Sequence, residues 1–483
     1  MIRGWIDAEV QHIFGYGPRE TVRTRDPVPW NDRRRREVLS NVHLRFEAQE
    51  AVYPEWFGAI GGGGGEGGEA GLRYDDTIGL QACFDAAFAD LSEERPGPLP
   101  VVLNSNYDVR GGLDIDGARA TGGIVLRGIS GAATPDLRGA SIALLGGGEV
   151  PRALLRLVGG VTGVIEQVTF EGGDPTAAGG VAAAYTVLWE NDRVEPLGTH
   201  PGRIFTFRRC SFNGGSRAVV RVQTPRSVLG RPPPQPLTRV LFQECRLEKK
   251  GAERQGAALE GARRVVEVDA AESVSVQFHD CAGGITYPAE DRPGEPTAWL
   301  WAVGGRVLLN SFVIQSSLAE DSTAVAERAD DRPDVLLEDP SLVRREYEGW
   351  DPLQYELHPS LTMLGVVSQS PMLLWRRMRD TLRDGALTRP VVLLGVAANN
   401  TLGAVAVRVP TVRWEGTPLD APLVLSGCRF GGPVLVGRSL QSDVYLLGTT
   451  FRAGSELLGV FSEGALRPVR SWQLPRWAPG GGP

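Results

Sequence analysis

One octet of alternating positions recurs along most of the chain: apolar, any, apolar, two corner residues, apolar or small, any, apolar or small. It is clearest at the cysteines. Phe205-x-Phe207, Arg208-Arg209, Cys210-x-Phe212 returns as Val240-x-Phe242, Gln243-Glu244, Cys245-x-Leu247, and again as Leu423-x-Leu425, Ser426-Gly427, Cys428-x-Phe430. The Cys281 copy ends weakly, at Gly283. With another small or apolar residue in place of Cys, the octet surrounds Ile129, Val168, Phe312, Val366, Val396 and Thr449, which makes ten copies. Their spacing runs from 21 residues (Cys428 to Thr449) to 54 (Phe312 to Val366). The local pattern is tight and the repeat length loose.

Alternation within each half is the period of a strand with one buried face, and the two-residue corner lets inward positions resume beyond a bend. Glycine stands just before the marker residue in five copies, at Gly128, Gly365, Gly395, Gly427 and Gly448. A bend needing positive φ selects glycine there. A single rung cannot bury its inner face; rungs stacked about 4.8 Å apart can, and they align like with like. Cys210, Cys245 and Cys281 are then expected in one internal column. The pattern predicts an all-β, right-handed, single-stranded parallel β-helix of about ten rungs. Insertions such as 171–203, 213–239 and 315–360 leave as long loops.

The outward position of the first strand is rather apolar, reading Val125, Val164, Thr206, Leu241, Gln277, Leu308, Thr362, Val392, Val424 and Tyr445. Long loops or another copy of the chain, as in a homotrimer, are expected to cover so long a strip.

Residues 53–91 read Tyr53-Pro54-Glu55-Trp56-Phe57-Gly58-Ala59, a glycine run, Asp75-Asp76-Thr77, then Ile78 to Leu91. This resembles the opening of pectate-lyase-superfamily β-helices, where a Phe-Gly-Ala strand leads through a Gly-Asp-Gly turn to Asp-Asp-Thr and a helix that plugs the coil. Leu103 to Tyr107 and Ile124-x-Leu126-x-Gly128 match that family's first rung. Gly61 to Gly65 stand where the family has Gly-Asp-Gly. The local chemistry agrees with a capping helix: Asp75 and Asp76 read as capping rather than catalytic acids, Asp76 or Thr77 can cap its amides, and Leu80, Phe84, Ala87, Phe88 and Leu91 form one stripe. The expected organisation is an N-terminal segment (1–50), the opening motif and capping helix (51–98), the β-helix (99–470) and a tail (471–483).

Charge and composition narrow the chemistry. With 51 basic and 58 acidic residues the net charge is −7, which gives no pull toward phosphate backbones, so nucleic acid is not an expected partner. Arg33 to Arg36 read as a solvated loop. Five cysteines without CxxC spacing read as buried free thiols. The first residues contain no apolar signal core and no run is long enough to span a membrane, so the expected chain is soluble and is cytoplasmic or leaves the cell by a non-Sec route or in a phage-like particle. There is no HExxH, GxSxG or P-loop, and the five histidines show no ligand spacing, so no metal or other cofactor is assigned. Calcium, which lyase chemistry uses, has no acid cluster to which it can be assigned.

Glycoside cleavage needs only two carboxylates at a set separation. Glu244 and Asp280 hold the same corner position in consecutive copies and form the best acid pair, although the simpler explanation is structural, since corners are exposed and polar and Asp tolerates a left-handed bend. Glu171 and Glu248 form a second column three residues past the marker, where polar residues also simply open a turn. Trp299 and Trp301, two apart on a strand, would share a face and offer a sugar-stacking platform or core packing. Arg209 and Arg246 can hold acidic saccharides. Two functions follow from this reading: a carbohydrate-active β-helix that binds a polysaccharide and cleaves it as a glycoside hydrolase or lyase, and a non-catalytic spike or fibre whose apolar strip mediates oligomer or surface contacts.

Overall fold

In a computed structural model the described residues are 51–61, 75–88, 98–120, 122–129, 140–145, 150–173, 181–191, 203–224, 238–249, 264–270, 273–287, 297–318, 334–338, 360–368, 372–376, 391–398, 412–414, 423–430, 434–436, 444–451, 457–459 and 466–468. The N-terminal segment, the tail and most of the long insertions lie outside them. The chain divides into two compact units, residues 1–192 with 205–216, and residues 193–204 with 217–483.

Each unit is built from three all-parallel sheets, visited in turn, so that every circuit of the chain adds one strand to each. In unit one the first sheet contains Val101–Leu103, Ile124–Gly128 and Gly163–Glu166, and the third contains Leu113–Asp116, Ala153–Val158 and Tyr185–Glu190. In unit two the first sheet runs from Thr238–Gln243 through Val274–His279, Arg306–Asn310 and Ser360–Leu364 onward, the second begins with Arg246–Lys249 and Ala282–Tyr287, and the third includes Ala218–Gln223, Arg264–Asp269 and Ala298–Ala302. Pairing is in register, as in Val240↔Val276 and Phe242↔Phe278. This is a parallel β-helix, with the right-handed sense of parallel crossovers.

The octet supplies the first two strands of each circuit and the bend between them. The residue before the marker lies in the left-handed region at nine of the ten copies: Gln167, Arg209, Glu244, Asp280 and Ser311 (φ 52–56°), and Gly365, Gly395, Gly427 and Gly448 (φ 57–62°). The exception is the first copy. Ile129 is 51% exposed. The inward marker position is held instead by buried Ala140, whose carbonyl accepts the Thr169 amide at 3.0 Å, as the Val168 carbonyl accepts Ser211 at 3.1 Å. An insertion at the corner itself displaced that marker. Gly128 is glycine for closeness rather than for φ, because a Cβ there would lie 2.1 Å from the Gln167 carbonyl oxygen.

Inside unit two the Cys245–Cys281 part of the expected column forms: the Cys245 amide donates to Cys281 Sγ at 3.3 Å. The markers share a further bond. Cys281 Sγ reaches the Phe242 carbonyl (3.3 Å), Cys428 Sγ reaches Leu393 (3.3 Å), and Thr449 Oγ1 reaches Leu425 (3.0 Å), each three residues before the marker of the preceding turn. Cys210 makes the same contact in unit one, to the Ile165 carbonyl at 3.4 Å. A small side chain with a donor fits this position, which explains why Cys and Thr recur there. All five cysteines are free and buried. Burial pushes the Cys83 and Cys428 thiols up, and the contact with Cys245 followed by burial pushes up Cys281. Since the thiolate is the reactive form, Ellman's reagent is expected to find no thiol in the native protein and all five after unfolding; rapid native labelling would contradict the column.

The weak end of the Cys281 copy has a packing cause. A Cβ on Gly283 would lie 2.3 Å from Trp299 Nε1, so the missing side chain makes room for the indole. Trp299 fills that gap against Phe312 (centroids 4.6 Å) and Phe278 (5.8 Å).

The capping helix α1 spans Thr77–Phe88, and Leu80, Phe84, Ala87 and Phe88 are its buried stripe; Leu91 lies outside the described residues. At its N-terminus one of the two expected acidic caps is in place and the other is not. The side chain at the Thr77 amide is Asp75 (3.1 Å), while Asp76 turns to the amides of Ile60 (2.7 Å) and Gly61 (3.3 Å), and Thr77 Oγ1 accepts from Arg110 and Gly111. Only the Asp76 carbonyl serves the helix, accepting the Leu80 amide.

Candidate functional site

The corner after each first-sheet strand places side chains at regular heights. In unit two the Glu244 amide donates to the His279 carbonyl (2.9 Å), Asp280 to Asn310 (3.0 Å) and Ser311 to Leu364 (2.9 Å), so these corners stand on consecutive turns, about 4.8 Å apart. Glu244, Asp280 and Ser311 are exposed at φ 52–53°. A side chain in this region costs on the order of 1 kcal/mol. The next four corners avoid the cost with glycine. Three turns therefore carry polar side chains where glycine would be less strained.

Beside them, on the outward face of the first sheet, lies a row that the sequence reading passed over. The Asn310 amide nitrogen meets His279 Nδ1 at 3.2 Å, His279 Nε2 meets Gln277 Oε1 at 3.3 Å, and Gln277 Nε2 donates to Ser275 Oγ at 2.9 Å. An amide NH2 only donates, so Nδ1 accepts and Nε2 carries the hydrogen. Ser275, Gln277, His279 and Asn310 are all half-exposed, and Gln243, His279 and Asn310 stand in register on successive strands. Ser275, Gln277 and His279 alternate along one strand, whereas Asn310 is brought to the histidine by pairing with the next strand.

The other anticipated residues are distributed differently. Arg246 lies past the corner and pairs with Glu248 on its own strand (2.6 Å), with the arginine side chain 65% exposed. Glu171 ends the strand Thr169–Glu171 and Arg209 occupies a left-handed corner beside Gln167; both are exposed and belong to unit one. Trp299 and Trp301 are both buried. They do not share a neighbourhood: Trp299 points to the rings inside the coil, while Trp301 lies near Leu336 with the Arg264 guanidinium 3.8 Å from its ring centroid.

A second cluster sits on the third sheet of unit two. Glu267 is fully buried and accepts from Arg221 (2.7 Å) and Arg264 (2.7 Å), with Arg217 at 3.6 Å; Arg221 also reaches Asp269 (3.3 Å) and Gln223 (2.7 Å). Burial alone would raise the Glu267 carboxyl, but the guanidiniums of Arg264, Arg221 and Arg217 outweigh it and hold the group below the usual carboxylate range. Glu267 and Asp269, two apart on one strand, have the spacing of an acid pair, yet Arg221 bridges them and a carboxylate so held is a poor proton donor. The cluster holds the sheet together. The octet omitted it because it covers only the first two strands of each turn; its trace was charged residues set within apolar runs, as in Arg264-Val-Val-Glu267-Val-Asp269.

Among the described residues no three His, Cys, Asp or Glu side chains are grouped as a metal site, and no helix is long and apolar enough to cross a membrane.

No family model and no curated protein matches this chain. Solved structures do. The full-length tailspike protein 2 from an Escherichia coli O157:H7 bacteriophage aligns at 10% identity and TM-score 0.42, over 88% of this chain and 43% of that one. The enzymatically active domain of bacteriophage CBA120 tailspike protein 2 aligns at 10% identity and TM-score 0.37, over 88% of this chain and 48% of that one. PfbA, a surface adhesin of Streptococcus pneumoniae, aligns at 11% identity and TM-score 0.34, over 85% and 93%. The chain thus spans less than half the length of the two tailspike structures.

Proposed function

We propose that the chain binds a polysaccharide along the outward first-sheet face of unit two and cleaves it with Glu244 and Asp280. The supporting observation is the hydrogen-bonded row Ser275–Gln277–His279–Asn310 beside three polar corners held in strained backbone. Amide, imidazole and hydroxyl groups at a repeat of about 4.8 Å suit the hydroxyls of successive sugar units. Corner carboxylates one turn apart approach the separation of about 5 Å used in retaining hydrolysis, where one carboxyl serves as acid and base and the other as nucleophile.

Incubation with a panel of neutral and acidic polysaccharides, read by reducing ends and by absorbance of unsaturated uronates, is expected to reveal release from at least one neutral polymer. Glu244→Gln and Asp280→Asn should each lower that rate about 1,000-fold or more while leaving binding intact. Activity that survives both substitutions removes the acid pair; absence of binding across the panel removes the proposal.

One observation favours a structural role instead. Beyond Asn310 the same face turns apolar: Thr362, Leu364, Val392 and Val424 are half-exposed and Leu394 is 37% exposed. A homotrimer burying this strip would sediment at three times the chain mass, whereas a monomer at micromolar concentration would exclude it.

A further inference from the structure

Near the N-terminal end of the coil two carboxyl groups, Asp76 and Asp108, are buried. Asp76 is 2% exposed; its carboxyl accepts the amides of Ile60 and Gly61, and its own amide donates to the Asp108 carbonyl at 2.7 Å. One residue thereby joins three elements: the turn that follows Pro54–Phe57, the first turn of α1, and the strand Asn106–Val109. We propose that Asp76 is a pH-operated clasp, which ties residues 53–61 to α1 while its carboxyl is protonated and loosens that tie when it ionises. This reading is independent of the polysaccharide site.

The surroundings favour the neutral form. From the strand, Asp108 is 4% exposed and Tyr107 donates its hydroxyl to Glu55 at 2.5 Å. From the Pro54–Phe57 turn comes Glu55, and from α1 come the Cys83 thiol and, just before it, Asp75, which is engaged with Thr77 and the Arg110 amide. Burial pushes the Asp76 carboxyl up to about 7 from an ordinary 3.8; Asp108 adds to the rise, and the amides of Ile60, Gly61 and Asp108 oppose it. The sign follows. A folded-state value above the unfolded one means that the clasp is at full strength below about pH 4 and is weakened progressively as pH rises to about 7.

Hydrogen exchange of peptides covering residues 53–61, corrected for the intrinsic pH dependence of exchange, tests this directly. Opening of that segment is expected to increase about 30-fold between roughly pH 5.5 and pH 8.5 and to level off above about pH 7. Asp76→Asn, which keeps an acceptor for the Ile60 amide and cannot ionise, should abolish the dependence. Asp108→Asn removes a neighbouring acid and should move the midpoint to lower pH, which keeps the test valid if Asp76→Asn fails to fold. A segment equally protected at both pH values in the wild type, or an unchanged midpoint in Asp108→Asn, overturns the proposal.

Discussion

Glu267→Ala is expected to destabilise the protein by about 3–5 kcal/mol, because it leaves guanidinium groups buried without their central anion. The side chains of Arg221 and Arg264 are 10% and 8% exposed, so water cannot take over the role of the carboxylate. Glu267→Gln, which keeps the shape and one acceptor, should cost less but still more than 1 kcal/mol. Replacing Arg221, Arg264 and Glu267 together with apolar residues of similar volume should recover most of the loss, since the pair interactions offset a desolvation cost that the apolar version never incurs. The check is the urea midpoint at unchanged slope. A shift below about 1 kcal/mol for Glu267→Ala would show that the cluster is hydrated and that its charges are screened.

Phe278→Ala should cost a comparable amount, about 3–5 kcal/mol. Its ring is fully buried and touches three others: Phe242 (4.7 Å, stacked), Trp299 (5.8 Å) and Phe312 (5.9 Å). Two of these come from neighbouring first-sheet and marker positions, and the third enters through the space above Gly283. Truncation therefore opens a cavity among groups fixed by strand pairing, which have little freedom to collapse into it. Phe278→Leu should lose less than half as much. Thermal unfolding of both variants, compared with the wild type, checks the ordering; an Ala variant no worse than the Leu variant would mean that the stack repacks.

Much of this architecture was legible in the residues. The left-handed corner was expected from five glycines; it holds at four of them, not at Gly128, and also where Gln167, Arg209, Glu244, Asp280 and Ser311 occupy it, since their sequence position rather than their type marked the bend. The capping helix was expected from Asp75-Asp76-Thr77 and its apolar stripe. Errors arose where a local rule met a long-range neighbour. Ile129 fits the octet by spacing, but the chain inserts residues at that corner and Ala140 takes the inward place. Trp299 and Trp301 obey strand alternation as letters, yet the gap at Gly283 draws one indole inward. Asp76 looked like the helix cap because it directly precedes the helix; the amides of Ile60 and Gly61 were invisible from there.

The candidate site divides in the same way. Glu244 and Asp280 were found together because equivalent positions of a repeat must stack. The Asn310–His279 contact and the approach of Arg221 and Arg217 to Glu267 were missed because they depend on which strand lies beside which.

Alternation, corner spacing and marker chemistry are short-range properties, and they alone determined that this chain winds into a parallel coil with a helix at its start. Which polar groups meet across neighbouring turns was decided only by the tertiary structure. Insertions of variable length separate those groups in sequence, while backbone hydrogen bonding brings them to one strand spacing in space.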